Sequence, residues 1–254
     1  MVAIANQKGG VGKTTTAVNL AACLAELGRR VLLVDTDPQA NATSAIGVES
    51  DFGCSLYEPL VENGAAAEKI VRTRFENLHC IPAHRELAGS EVDLVAQGTH
   101  LERLREIFAP IRAQDVYDFA ILDCPPSLGI LMTAALSSAD DLLIPVQCEY
   151  FGLEGLQSIL DVFNQMKKGG INPDGRLEGI VMTMFDNRTL LNRGVIQNVR
   201  EFYPEETYET VIPRTIRLAE APSHRSPIIE YEPTGMGAYA YRALAKEFLR
   251  RREI

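Results

Sequence analysis

Several features that would narrow the fold at once are scarce in this chain. Cysteines number five: Cys23, Cys54, Cys80, Cys124 and Cys148. The set is odd and holds no C-x-x-C pair, so neither a disulfide framework nor a zinc site is expected, and a reduced, cytoplasmic setting fits. Long hydrophobic runs are missing. The longest cover about five residues against the roughly 20 that a bilayer requires, so no spanning helix is expected. Residues 1–6 lead straight into Gln7-Lys8-Gly9-Gly10, without the basic start and apolar stretch of a signal peptide. Positive charge is not in excess either, since 25 Lys and Arg face 34 Asp and Glu for a net of −9. Residues 1–127 hold 11 basic and 17 acidic side chains, and residues 128–254 hold 14 and 17. Bulk charge therefore argues against wrapping nucleic acid, and any such binding must rest on a local basic patch.

What is present is ordinary for a globular protein: 254 residues, 46% hydrophobic and 23% charged, enough to bury a sizeable core. Short apolar runs at Val2–Ala5, Val31–Val34, Leu78–Ile81, Phe119–Leu122, Leu142–Val146, Leu177–Met182 and Thr210–Ile212 read as strands. Between them lie helical patterns at Thr14–Leu27, Leu101–Ile111, Ile130–Ser137, Leu153–Met166, Leu190–Phe202 and Gly237–Arg251. Such alternation predicts an α/β fold, a mostly parallel twisted sheet with helices on both faces. Residues 52–97 are the least regular and predict short helices. No linker or repeat divides residues 1–254, so one domain is expected.

The first strand runs into Lys8-Gly9-Gly10-Val11-Gly12-Lys13-Thr14-Thr15, and a helix follows. Strand, glycine loop and helix in that order make a phosphate cradle, because glycines let amides turn inward and the helix start adds unpaired N–H groups. Lys13 is placed to neutralise β- and γ-phosphate oxygens and Thr14 to ligate Mg²⁺. Gln7 stands where the usual loop begins with Gly, and Lys8 adds a second lysine at the loop mouth. The second strand ends in Asp35-Thr36-Asp37-Pro38-Gln39-Ala40-Asn41, at the end of a parallel strand where ligands bind. Either aspartate could hold Mg²⁺ through water or position an attacking water. They share a face only if the strand continues through both. Four apolar residues then precede Asp123-Cys124-Pro125-Pro126-Ser127, the form of the second metal carboxylate of P-loop NTPases.

At these residues the chain resembles the deviant Walker A ATPases, specifically the ParA/Soj partitioning ATPases. K-G-G-V-G-K-T-T, D-T-D-P-Q-A-N and L-D-C-P-P-S carry the likeness. Further segments are Pro145–Tyr150, Glu154-Gly155-Leu156, Thr183–Thr189, Val211–Arg214 and Glu220–Ser223. The resemblance implies a P-loop NTPase fold and ATP with Mg²⁺ as cofactors. It also implies a slow ATPase that forms a face-to-face homodimer when ATP-bound. Lys8 would reach the partner's nucleotide, and Lys13, Thr14 and the loop Gly9–Thr15 would hold phosphate. Asp37 would position the attacking water, Asp123 and Asp35 would lie at the metal, and Met184 and Pro213 near the adenine. The dimer would bind non-specific DNA, associate with the nucleoid, and be released by a ParB-like partner. Ala40 replaces the Gly common in such segments, a change expected to cost little. With the phosphate-loop strand starting at Val2, no N-terminal helix-turn-helix domain is expected.

Candidate DNA contacts are Arg188 and Arg217, with Arg193 and Arg225 beside them. Arginines concentrate late in the chain, in loops after two strands, but nearby acids cancel them unless the fold segregates the signs. The rival reading is a MinD-like membrane-cycling ATPase, which needs an amphipathic C-terminal anchor. Leu244, Phe248 and Leu249 with Arg250-Arg251-Arg252 could supply one, although a packing helix explains them too, and no membrane partner is expected. A redox protein would need a second cysteine spaced to Cys124, and a small-molecule ligase would need a substrate pocket with no recognisable residues here.

Overall fold

The computed structural model describes residues 1–62 and 64–253. In chain order the elements are β1 (Val2–Ile4), α1 (Lys13–Glu26), β2 (Val31–Asp35), α2 (Asn41–Ala45), α3 (Tyr57–Val61), β3 (Val71–Arg72), β4 (Leu78–Ile81), α4 (Gly89–Gln97), α5 (His100–Ala113) and β5 (Phe119–Asp123). They continue with α6 (Ile130–Ser138), β6 (Asp141–Gln147), α7 (Gly152–Lys168), β7 (Arg176–Phe185), α8 (Leu190–Phe202), β8 (Thr207–Pro213), α9 (Ile216–Glu220), α10 (Ile228–Tyr231) and α11 (Met236–Arg251). Each strand and helix expected from the apolar pattern is there. Residues 52–97 hold the short helices α3 and α4 and the antiparallel edge strand β3.

The eight strands lie in the order β3-β4-β2-β5-β1-β6-β7-β8. Every pairing is parallel except β3 with β4. Alternate residues of each strand feed opposite faces, as a pleat requires. Ala3, Leu32 and Leu122 pack against helices α3 to α8. Val2, Leu33 and Ile121 pack against α1, α2 and α9 to α11. Because both faces are covered, the central strands read as unbroken apolar runs. The register sets Ile4 beside Asp123, and Asp123 beside Asp35. Two carboxylates and the exit of β1 thus meet at one end of the sheet.

At the opposite end, β7 bulges between its partners to β6. The bulge turns Glu178 toward Tyr208, whose hydroxyl donates to it at 2.7 Å, and toward the Arg252 guanidinium. Arg252 also donates to Asp141 at 2.6 Å, which ties the end of the chain to two strands. Helix α11 is a packing helix: Tyr241, Leu244, Ala245 and Phe248 are buried against the sheet and α1.

Ala40 corrects one expectation. It adopts φ 54° and ψ 34°, the left-handed region in which a Cβ crowds the following carbonyl at a cost of roughly 1–2 kcal/mol. The exchange for Gly is therefore not cheap. Replacing Ala40 by Gly relieves that strain, and the more flexible unfolded chain offsets roughly 0.4–1 kcal/mol of the gain. Ala40→Gly is expected to raise stability by about 0.5–1 kcal/mol in urea unfolding. An unchanged or lower midpoint would contradict the strain.

Candidate functional site

The loop between β1 and α1 is shaped by two left-handed glycines, Gly10 at φ 74° and Gly12 at φ 90°. Gly12 caps α1, and its carbonyl accepts the Thr16 N–H at 2.8 Å. Lys13, Thr14 and Thr15 form the first turn, whose amides have no partner within the helix and so point at the loop. Between the glycines Val11 is fully buried. Its carbonyl accepts the hydroxyl of Thr183, at the end of β7, at 2.8 Å. The loop is thereby tied to a strand far from it in sequence.

Lys13 is only 7% exposed. Its Nζ donates to the carbonyl of Lys8 at 3.1 Å, so it folds back into the loop. Burial pulls its pKa down, and the nearby Asp123, Cys124 and Asp37 oppose that shift. Asp123 is fully buried, and neither of its side-chain oxygens has a hydrogen-bond partner of full geometry. Burial, then the charge of Asp35, pushes its carboxyl well up, opposed by the Thr14 hydroxyl and the Lys13 ammonium. The backbone of Asp123 is held firmly: its carbonyl accepts both the N–H and the hydroxyl of Thr36, at 3.0 and 2.7 Å.

Asp35 is used differently. One oxygen accepts the amide and the hydroxyl of Thr43, at 2.8 and 2.7 Å, and the other accepts the Asp37 amide at 3.1 Å. The strand stops at Asp35, so the two aspartates are joined by a turn and do not share a strand face. Asp37 is 7% exposed, and its Oδ1 accepts the Gln39 amide at 2.9 Å, an Asx-type turn. The segment from Asp35 into the first turn of α2 is therefore wound around a buried carboxylate.

Beside the phosphate loop lies an apolar cavity of about 760 Å³. Met184 and Pro213 line it, as do Gly12, Thr15, Tyr241 and Met236. Met184 itself is left-handed, at φ 54°. Sequence reasoning missed two members of this site: Thr183, which tethers Val11, and Tyr241, whose hydroxyl lies 3.3 Å from the Thr16 hydroxyl. The only hint was a threonine ending an apolar run in Thr183-Met184-Phe185-Asp186.

The arginines are exposed but not equivalent. Arg188 pairs with Asp186 at 2.6 Å and holds its pKa down to about 2. Arg217 pairs with Glu220 and Glu232. Arg193 donates to the Asn187 carbonyl, next to Arg188. Arg225 donates to the Val48 carbonyl. Arg188 and Arg214 both line the cavity wall.

A glycine cradle on a strand–helix junction, a buried lysine and a strand-end aspartate define a P-loop nucleotide-binding protein. A family model described as an AAA domain matches residues 1–176. The chain is 49% identical over 248 residues to the sporulation initiation inhibitor protein Soj of Bacillus subtilis, covering 97% of each. It is 45% identical over 252 residues to the chromosome partitioning protein ParA of Myxococcus xanthus, covering 99% of this chain and 88% of the other. Cobyrinic acid a,c-diamide synthase from Mycobacterium smegmatis, solved with bound ATP analog and magnesium, matches with a TM-score of 0.85 and 35% identity, over 99% of this chain and 95% of that one. The chain belongs to the ParA/Soj family of chromosome-partitioning ATPases.

Thr183→Val keeps the side-chain shape and removes the donor to Val11. A buried carbonyl left without a partner costs about 1–3 kcal/mol. Urea unfolding of Thr183→Val should show a loss in that range. Wild-type stability in the variant would mean that the tether does not hold the loop.

Proposed function

We propose that this chain binds and slowly hydrolyses Mg²⁺-ATP, dimerises when ATP-bound, and in that form binds DNA without sequence preference to segregate chromosome or plasmid DNA. The observation that carries this reading is Asp123, a buried carboxylate with neither oxygen in a well-formed hydrogen bond, next to Thr14 and Lys13. Among the described residues no cluster of three or more His, Cys, Asp or Glu would hold a metal alone. Mg²⁺ instead suits one or two protein oxygens completed by phosphates, and the Thr14 hydroxyl and Asp123 are oxygen donors of that kind. When bound, the ion neutralises charge on the phosphates.

The remaining roles fall to the chain. Lys13 leaves the Lys8 carbonyl for a phosphate oxygen, and the amides of Gly9 to Thr15 surround the anion. Met184 and Pro213 flank the adenine in the apolar cavity. Asp37 orients the attacking water. Asp35 has both oxygens committed to Thr43 and Asp37, so we assign it to holding that loop rather than to the metal. Lys8 reaches the nucleotide of the partner subunit. A ParB-like protein stimulates hydrolysis and releases the DNA, and the ATP-bound dimer is nucleoid-associated in the cytoplasm.

For DNA, Arg188 and Arg217 are the main contacts, with Arg193, beside Arg188, and Arg225 as helpers. The ion pairs of Arg188 and Arg217 are exposed, and water and salt screen such pairs so that they contribute little. Phosphates can therefore replace Asp186, Glu220 and Glu232. A MinD-like membrane anchor is disfavoured because the apolar face of α11 is already buried and Arg252 is tied to Asp141 and Glu178. No helix among the described residues is long and apolar enough to cross a membrane.

A gel-shift titration with ATP, ADP and no nucleotide tests the reading. DNA binding should require ATP and fall steeply with salt, each phosphate contact adding about 0.9 to the logarithmic slope. Asp37→Ala should bind DNA with ATP and not hydrolyse it. Arg217→Glu should weaken binding to any DNA and flatten the slope. Equal binding in all three nucleotide states would overturn the proposal.

A further inference from the structure

Asn6 is fully buried where the chain leaves β1. Its Nδ2 donates to the Pro145 carbonyl on β6 at 2.8 Å, and its Oδ1 accepts the Lys8 amide at 3.0 Å. The Lys8 carbonyl accepts from Lys13 Nζ. One side-chain amide thus pins the backbone of Lys8 to the neighbouring strand. Few side chains can do this, because the position needs a donor at one end and an acceptor at the other. A carboxylate would turn an oxygen toward the Pro145 carbonyl.

Helix α7 closes the arrangement from the other side. Gly155 lies in its first turn, and a Cβ there would sit 2.9 Å from Asn6 Oδ1 and 3.3 Å from Lys8 Cβ. The backbone of Gly155 is ordinary for a helix, with no positive φ. Its glycine is therefore explained by close approach and not by conformation. Asn6 thus holds the Lys8 backbone to β6, and the bare Gly155 lets α7 approach Asn6 and the Lys8 Cβ closely.

We propose that Asn6 and Gly155 are positioning residues that preset Lys8 for the nucleotide of a second copy of this chain. The proposal rests on the reading of Lys8 as acting across the dimer. A lysine stem has many rotamers, and ordering it on association opposes binding. Presetting the backbone from which the stem leaves removes the separate cost of ordering the loop, so that only the side-chain torsions remain to be fixed on association. Nucleotide binding within one subunit, which relies on Lys13 and the loop amides, does not draw on the same benefit.

The test uses the full chain with a slowly hydrolysed ATP analogue and Mg²⁺. Light scattering reads dimer formation, calorimetry reads nucleotide affinity, and the variants are Lys8→Ala, Asn6→Ala and Gly155→Ala. Lys8→Ala is expected to stay monomeric. Asn6→Ala and Gly155→Ala should each weaken dimerisation by about tenfold or more while nucleotide affinity stays within about threefold. Alanine is a better helix former than glycine, so a defect in Gly155→Ala does not come from a weaker α7. That variant decides the matter alone if Asn6→Ala fails to fold. If Lys8→Ala dimerises normally, the trans role fails and the proposal falls with it. If Lys8→Ala is monomeric but the other two variants dimerise like wild type, the positioning role alone is overturned. If they lose nucleotide affinity as much as dimerisation, they hold the whole loop and the specific link to Lys8 is wrong.

Discussion

A carboxylate buried with neither oxygen in a well-formed hydrogen bond is costly, and Asp123 is one. Its position follows from the parallel register, which sets it between Ile4 of β1 and Asp35 of β2. Thr36 grips its backbone, so the side chain cannot retreat. Only Lys13, buried in the same place, and the Thr14 hydroxyl relieve the charge. Such a group stays in a core when something else completes it. The glycine loop and the tether from Thr183 hold backbone beside that unsatisfied carboxyl.

The same end of the sheet shows how two similar residues diverge. Asp35 and Asp123 are cross-strand neighbours and both are buried. Three well-formed hydrogen bonds from Thr43 and Asp37 satisfy Asp35; Asp123 has only the Thr14 hydroxyl nearby, short of full hydrogen-bond geometry. Hydrogen bonding, not burial, separates the loop organiser from the carboxylate left open to a ligand.

Much of this was legible in the sequence. The strands from Val2 and Val31 and the helix from Thr14 are continuous or periodic apolar patterns, which local chemistry decides. The phosphate loop was legible because its function is written in consecutive residues. The rest depended on partners distant in the chain. Thr183 meets Val11 and Asn6 meets Pro145 only after the sheet forms. The left-handed state of Ala40 was hinted at only by the Gly common at that place in similar segments, since alanine itself gives no sign of a positive φ. The two-residue strand β3 is too short for any period. Sign segregation among the late arginines was equally invisible, since Asp186 and Arg188 pair across a loop whose shape the pattern does not fix.

If Asp123 is completed by a magnesium-bearing nucleotide, as proposed, its removal must change how the metal and ATP bind together. The most direct measurement is calorimetric titration of ATP into wild type and Asp123→Asn, each with and without Mg²⁺. Residues that order a metal's ligand shell typically govern about 10–100-fold in metal affinity. The account predicts that Mg²⁺ strengthens ATP binding to wild type by a factor in that range and leaves Asp123→Asn nearly unchanged. An equal gain in both proteins would contradict it.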